Sequence, residues 1–259
     1  MSGGWHRGAL VAFDLESTGL DVENDRIVTA CIALIDGTGR RKPETIDVVI
    51  NPGIPIPEKP AKLHGWTTER VQAYEAAMPP ADGVEFITEM LATALLDEPS
   101  APLVGHNVGG YDLSLYDREC RRHGVRLLAD RLGPDRPLHV VDTLVISRRY
   151  DPKRARVSET QGPHVLKTCA EVLGIGWDDE QAHAADYDAV MAARVAWKMC
   201  DLKPELARMS LPELHAAQVR WKREQDAGLA AWLRRKGRDP VGLDGHWPVR
   251  PFEAQGALL

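Results

Sequence analysis

Two rhythms of apolar and polar residues run along this chain, and they change at glycine and proline. Residues 9–16 read Ala-Leu-Val-Ala-Phe-Asp-Leu-Glu, a β-prone run whose second half alternates apolar and acidic positions, which predicts a strand with one functionalised face. Residues 27–36 are almost continuously apolar and stop at Gly37-Thr38-Gly39, and a third run over 45–50 stops at Asn51-Pro52-Gly53. Three strands on short connections predict an antiparallel meander. Ile54-Pro55-Ile56-Pro57 reads as extended and irregular, because proline restricts both itself and the residue before it.

The period becomes helical after Asp82-Gly83. Val84, Ile87, Met90, Leu91, Ala94 and Leu95 share one helix face up to about residue 97, before Pro99. Leu103 to His106 reads as a short strand, the segment with Leu113, Leu115, Tyr116 and Cys120 as a helix, 138–141 as a strand, and 165–173 and 186–200 as helices. Between Arg148 and Pro163 the rhythm fails, and Arg148, Arg149, Lys153, Arg154 and Arg156 predict a basic loop, either a solvated one or one that follows a phosphate backbone. A last helix is expected over about 211–236, with Leu211, Leu214, Trp221, Leu229, Trp232 and Leu233 on one side. The expected class is α/β, a mixed sheet with flanking helices, divided into a domain over 1–201 and a C-terminal helical appendage and tail over 202–259.

Composition narrows the function. Hydrophobic residues make up 44% and charged residues 27%, the balance of a packed globular protein. The 32 basic residues are outnumbered by 38 acidic ones, a net charge of −6, which argues against a binder that works through a broad cationic face and leaves room for an enzyme that meets phosphates through metal cations. Cys31, Cys120, Cys169 and Cys200 lie far apart with no Cys-x-x-Cys pair, so reduced thiols are expected. The start shows no export signal, and no window approaches the roughly 18–20 apolar residues of a membrane span. A soluble, cytoplasmic protein without membrane contact is the expectation.

The candidate chemistry begins at Asp14-Leu15-Glu16. On a strand, residues two apart share a face, so the two carboxylates stand side by side and need a compensating cation; hard oxygen ligands suit magnesium or manganese. Alone, Asp-x-Glu reads as a strand end with a solvated acidic face, because the pattern occurs often by chance. Ser17-Thr18-Gly19-Leu20 follows directly, with a glycine that lets the backbone turn closely against a ligand. Gly105-His106-Asn107-Val108-Gly109-Gly110-Tyr111-Asp112 then brings a polar turn and a carboxylate to a helix start. His183-Ala184-Ala185-Asp186-Tyr187-Asp188 places a histidine five residues before an aspartate.

This ordered set resembles the DEDDh group of 3′-to-5′ exonucleases, the DnaQ-like family. Asp14, Glu16, Thr18 and Gly19 match its first motif, His106, Asn107 and Asp112 the second, and His183 and Asp188 the third. Asn51-Pro52-Gly53 with Leu63-His64-Gly65-Trp66-Thr67 looks like its connecting segment and Asp142-Thr143-Leu144 resembles its later strand-to-helix junction, so the likeness covers about residues 8–201. The second motif departs in carrying Gly109-Gly110 before Tyr111. The resemblance implies an RNase H-like fold and two divalent ions, Mg²⁺ or Mn²⁺, held by Asp14, Glu16, Asp112 and Asp188. It implies His183 as general base, since an imidazole accepts a proton near neutral pH, with His164 its nearest competitor. Ser17, Thr18, Gly19, Leu20, His64 and Asn107 are the implied substrate contacts, and Asp186 is expected to cap the helix it opens.

The implied reaction is release of nucleoside 5′-monophosphates from DNA 3′ ends, in proofreading or repair. The expected partners are single-stranded or 3′-terminal nucleic acid, DNA ahead of RNA, and a DNA polymerase docked through the C-terminal helix. An RNA-trimming enzyme of the same group is one alternative. A non-catalytic polymerase- or nucleic-acid-binding subunit is the other.

Overall fold

In a computed structural model, which describes residues 4–252, the three leading apolar runs become β1 (Ala9–Ser17), β2 (Ile27–Asp36) and β3 (Glu44–Val49). They pair as the predicted antiparallel meander, with Asp14 opposite Cys31 and Glu16 opposite Thr29. Two short strands, β4 (Leu103–Gly105) and β5 (Val140–Asp142), add in parallel on the other side of β1, giving the sheet order β3-β2-β1-β4-β5. β4 pairs with β1 only at Val11 and Ala12. The acidic end of β1 therefore runs past its neighbour and leaves one backbone edge open.

Helices α3 (Pro80–Asp97) and α4 (Asp112–His123) pack on one face, where Phe13 meets Tyr116 edge-on at 6.1 Å, and α8 (Ala185–Leu202) crosses the other. With both faces covered, Leu10, Val11, Ala12 and Phe13 are all buried despite the alternation of strand side chains. This is the expected α/β RNase H-like fold, a mixed sheet with flanking helices and further helices at the C-terminal end.

Some elements differ from expectation. α3 starts at Pro80 rather than after Gly83, since proline is well tolerated in a helix's first turn. Short helices α1 (Glu58–His64), α2 (Thr68–Ala73) and α5 (Leu128–Leu132) occupy stretches that carry no readable period. The expected basic loop is shorter: Arg148 and Arg149 form the last turn of α6 (Thr143–Tyr150), where cations meet the helix's negative end, before α7 (Leu166–Val172). Arg154, within the loop, is committed internally, bonding Asp151 Oδ2 at 2.9 Å, Ser147 Oγ at 3.1 Å and the Pro163 carbonyl at 3.1 Å.

The C-terminal segment continues through α9 (Pro204–Arg208) and α10 (Leu211–Arg235), and α10 opens on a Ser210–Glu213 capping box. Leu206, Leu214, Ala217, Trp221 and Trp247 join the same hydrophobic cluster as the strands. Leu229 and Trp232, expected on the same side as Leu214 and Trp221, stay exposed, while Ala230 between them is buried. α10 also closes the sheet. β5 is an edge strand, and its outward groups bond side chains of α10: the Val140 N–H donates to His215 Nδ1 (3.1 Å), the Asp142 N–H to Gln218 Oε1 (2.7 Å), and Gln218 Nε2 donates to the Val140 carbonyl (2.9 Å). One glutamine thus stands where a sixth strand would hydrogen-bond. No helix among the described residues is long and apolar enough to cross a membrane. Residues 253–259 of the expected tail lie outside the described residues.

Candidate active site

Three elements converge at the end of β1. Asp14 and Glu16 project from the strand on one face, Asp112 is the first residue of α4, and Asp188 lies in the first turn of α8. β4 ends before it can pair with Leu15, and Asp112 takes the strand's place: its Oδ1 accepts the Leu15 N–H at 3.2 Å. His183 sits just ahead of α8 in a left-handed backbone conformation, φ 64°. Ligand atoms of Glu16, His183 and Asp188 all lie within 4.8 Å of one another, a group able to hold a metal ion.

Crowding of like charge dominates the electrostatics. Asp14 is pushed well above the usual carboxylate range, first by burial and then by Asp112, Asp188 and Glu16. Glu16 is raised to about 8 by burial, with Asp188 and Asp112 adding to it. Burial also raises Asp112, against the backbone N–H groups that favour its charge, and raises Asp188, against the opposing influence of His183. Among the described residues no lysine or arginine forms an ion pair with any of the four. Asp188 Oδ1 is buried without a hydrogen-bond partner. Hard oxygen donors, uncompensated charge and a bare buried acceptor fit a divalent cation.

A pH dependence follows for the metal-free protein. The folded pKa of Glu16, about 8, lies above the ordinary carboxylate value, so its contribution to stability is complete below about pH 4 and is lost as pH rises through 8. In a chelator at pH 9, Glu16→Gln is expected to melt above the parent protein by at least about 2–4 °C, which corresponds to about 1 kcal/mol in a chain of this size. The gap should close at pH 4. Identical thermal midpoints at pH 9 would contradict the reading.

The cleft beside the carboxylates holds about 430 Å³, and Asp14, Asn107, Arg148, His164, His183 and Asp188 are among its lining residues. Asn107, at φ 65°, lies on the polar turn. Leu20 is 84% exposed. Ser17 is buried, its hydroxyl grouped with Tyr111 OH (2.6 Å) and the Gly19 carbonyl (2.7 Å). Thr18 is buried and committed within the turn: its N–H donates to the Arg26 carbonyl, and its hydroxyl donates to Asp25 and accepts from the Arg26 N–H. Gly19 is required by close approach, since a Cβ there would lie 2.7 Å from Asp25 Oδ1. His64 accepts the Trp66 N–H at Nδ1, so Nε2 carries the proton and donates to the Ser17 carbonyl at 3.2 Å.

Two other histidines near the cleft are held neutral. Burial lowers His106 to about 4, and its Nδ1 bonds Thr143 Oγ1 at 2.8 Å; burial likewise lowers His164 to about 4, with Nδ1 on Ser147 Oγ at 2.9 Å. Asp186 does not cap α8. It falls inside the first turn and is exposed, where a negative charge still suits the helix's positive end, and Ala184 holds the cap position without a side-chain bond.

Sequence reasoning gave no role to Asp142. Its carboxylate is 1% exposed and accepts from the backbone N–H groups of Asn107 (2.9 Å), Gly109 (3.2 Å) and Leu144 (3.0 Å) and from Trp247 Nε1 (3.3 Å), so it anchors the polar turn. Its place at a strand-to-helix junction was the available signal. Nothing in the sequence joined it to Trp247.

The sequence profile of the family described as Exonuclease matches residues 11–196, which holds β1, the polar turn, Asp112, His183 and Asp188. Similar curated proteins include the DNA polymerase III PolC-type of Caldanaerobacter subterraneus subsp. tengcongensis, 27% identical over 85% of this chain, and that of Ureaplasma parvum serovar 3, 27% identical over 71%. The chain spans only 13% and 11% of those polymerases. Among solved structures, zinc-bound E. coli exonuclease I with single-stranded DNA matches at a TM-score of 0.62 and 16% identity, over 87% of this chain and 45% of that one. Exonuclease I of Methylocaldum szegediense matches at 0.60 and 18% identity, over 77% and 42%. These likenesses share the fold described above, and with the profile covering most of its length the chain belongs to the DEDDh, DnaQ-like exonuclease family.

Proposed function

We propose that this chain hydrolyses the terminal phosphodiester of a nucleic acid strand in the 3′-to-5′ direction and releases nucleoside 5′-monophosphates. The observation that carries the reading is the convergence of Asp14, Glu16, Asp112 and Asp188 with His183 beside one cleft, with the bare Asp188 oxygen among them. Asp14, Glu16, Asp112 and Asp188 hold two divalent ions, Mg²⁺ or Mn²⁺. When bound, these supply the positive charge that offsets the carboxylates and the charge building on the scissile phosphate. His183 takes a proton from the attacking water; the water oxygen bonds phosphorus, the bond to the 3′ oxygen breaks, and that oxygen leaves to be protonated. Leu20 packs on the terminal base, and Ser17, Thr18, Gly19, His64 and Asn107 shape the pocket around the terminal nucleotide.

The substrate in this reading is single-stranded or 3′-terminal DNA. Likeness to E. coli exonuclease I in its single-stranded DNA complex and to PolC-type DNA polymerases supports reading DNA rather than RNA as the substrate, and likeness to the polymerases supports work beside a DNA polymerase, for which exposed Leu229 and Trp232 on α10 form the docking face. The domain over 1–201 carries the chemistry, and the described part of the appendage, 202–252, braces it. The four cysteines are free and buried, in keeping with a cytoplasmic place of work. The test is digestion of matched, 5′-labelled DNA and RNA strands with Mg²⁺ or Mn²⁺. A ladder shortening from the 3′ end with mononucleotide product on DNA is expected; a ladder on RNA alone overturns the DNA assignment, and none on either overturns the activity.

Arg148 lines the cleft and, among the described residues, makes no ion pair, so it is the cation available to a substrate phosphate. Arg148→Ala is expected to raise KM for an oligonucleotide about tenfold, with kcat little changed and a shallower dependence on salt. A KM and salt slope matching the parent would remove Arg148 from the substrate path.

A further inference from the structure

The strongest feature outside the family's matched span is the segment after α10. Gly245 is tied to α10, its N–H donating to Asp226 Oδ2 at 3.1 Å, and Asp226 is paired in turn with Lys222. Five residues on, the Arg250 N–H donates to Ser114 Oγ (3.1 Å), and buried Arg118 donates to the carbonyls of Arg250 (3.1 Å) and Pro251 (2.8 Å). Phe252 lies against the guanidinium groups of Arg118 and Arg121, at 5.3 and 5.0 Å. Residues 245–252 are therefore a strap from α10 to the first turns of α4, the helix that begins at Asp112.

Between its two fastenings the strap drives Trp247 behind the polar turn. The ring is 6% exposed, packs against the tilted His215 ring at 5.0 Å, and gives its N–H to Asp142 Oδ2, the oxygen that also accepts from the Gly109 N–H. A Cβ on Gly109 would lie 2.6 Å from Trp247 Cδ1. The departure at Gly109 in the second motif is thereby explained: Gly109 leaves the space that the indole occupies, and a Cβ on Gly110 would press on the Asn107 side chain.

We infer that the strap is a positioning element for the site: through Asp142 and α4, Trp247 and its fastenings set Asn107 and Asp112. The inference rests on the metal-dependent reading above and extends it to residues outside the family profile. Trp247→Phe keeps an aromatic ring and removes only the indole N–H with part of the bulk, so Asp142 Oδ2 loses one of its two donors.

The experiment compares the parent with Trp247→Phe, with Val241→Ala at an exposed position as control, by Mn²⁺ titration of the metal-free full-length proteins in a calorimeter and by Mn²⁺ dependence of turnover on a DNA oligonucleotide. The expected result is a Mn²⁺ half-saturation weakened about tenfold in both readouts, with KM for the oligonucleotide within about twofold and Val241→Ala unchanged. A merely structural loss lowers the fraction of protein able to bind and leaves the half-saturation alone; that outcome, or an unchanged Mn²⁺ affinity, overturns the inference. Should Trp247→Phe fail to fold, Ser114→Ala, which removes the hook for Arg250, decides by the same readouts. A parent that binds Mn²⁺ yet releases no nucleotide removes the exonuclease reading and leaves the calorimetric test standing.

Discussion

Asp14→Ala and Asp188→Asn are each expected to cut mononucleotide release by at least about a thousandfold, about 4 kcal/mol of transition-state stabilisation at about 1.4 kcal/mol per decade, while the protein stays folded. Both halves of the result come from one feature. The carboxylates are uncompensated in the metal-free chain, each raising the proton affinity of the others, so removing one charge relieves the fold as it empties the site. Asp188→Asn retains the volume and one acceptor and is expected to melt no lower than the parent in a chelator. It should also lose most of the stabilisation that Mn²⁺ gives the parent. Turnover within tenfold of the parent, in a preparation free of contaminating nuclease, would exclude the proposed metal ligands.

Truncation after Asp201 is expected to yield insoluble protein rather than a small active core. Removing 202–259 strips Leu206, Leu214, Ala217, Trp221 and Trp247 from the common hydrophobic cluster. At roughly 1.5–3 kcal/mol for each large side chain, the loss is comparable with the whole stability of a typical domain, about 5–15 kcal/mol. It also uncovers β5, leaving the Val140 N–H and carbonyl and the Asp142 N–H unpaired on an open sheet edge, a template for aggregation. Soluble, active protein ending at Asp201 would show that the C-terminal helices serve only as a docking module.

The parts legible in the sequence were those whose signal is local. The long strands were readable because apolar runs such as 27–36 end at glycine, and Asp14 and Glu16 because a strand's period of two fixes their shared face. The candidate site emerged from three motifs in order, which the fold brings together. α1, α2 and α5 were not legible: five to seven residues span two turns at most, too few for a helical period to separate from chance. α6 was not read as a helix: it is only eight residues long, and the arginines of its last turn look like loop residues when no tertiary contact is visible. Gln218, Trp247 and Asp142 escaped for a deeper reason. Their importance lies in bonds between residues 76 and 105 positions apart in the chain, and a lone glutamine or tryptophan carries no pattern that foretells one.

His183 and Asn107 are the non-glycine residues with positive φ among the described positions, and both border the same cleft. Left-handed geometry penalises a branched or bulky side chain far more than asparagine, which adopts it readily. The shape of the turn before α8 and the imidazole mounted on it are thus separable properties. An asparagine at 183 would subtract the proton acceptor and spare the bend, whereas valine would spoil both and give a misleading reading of what the ring contributes.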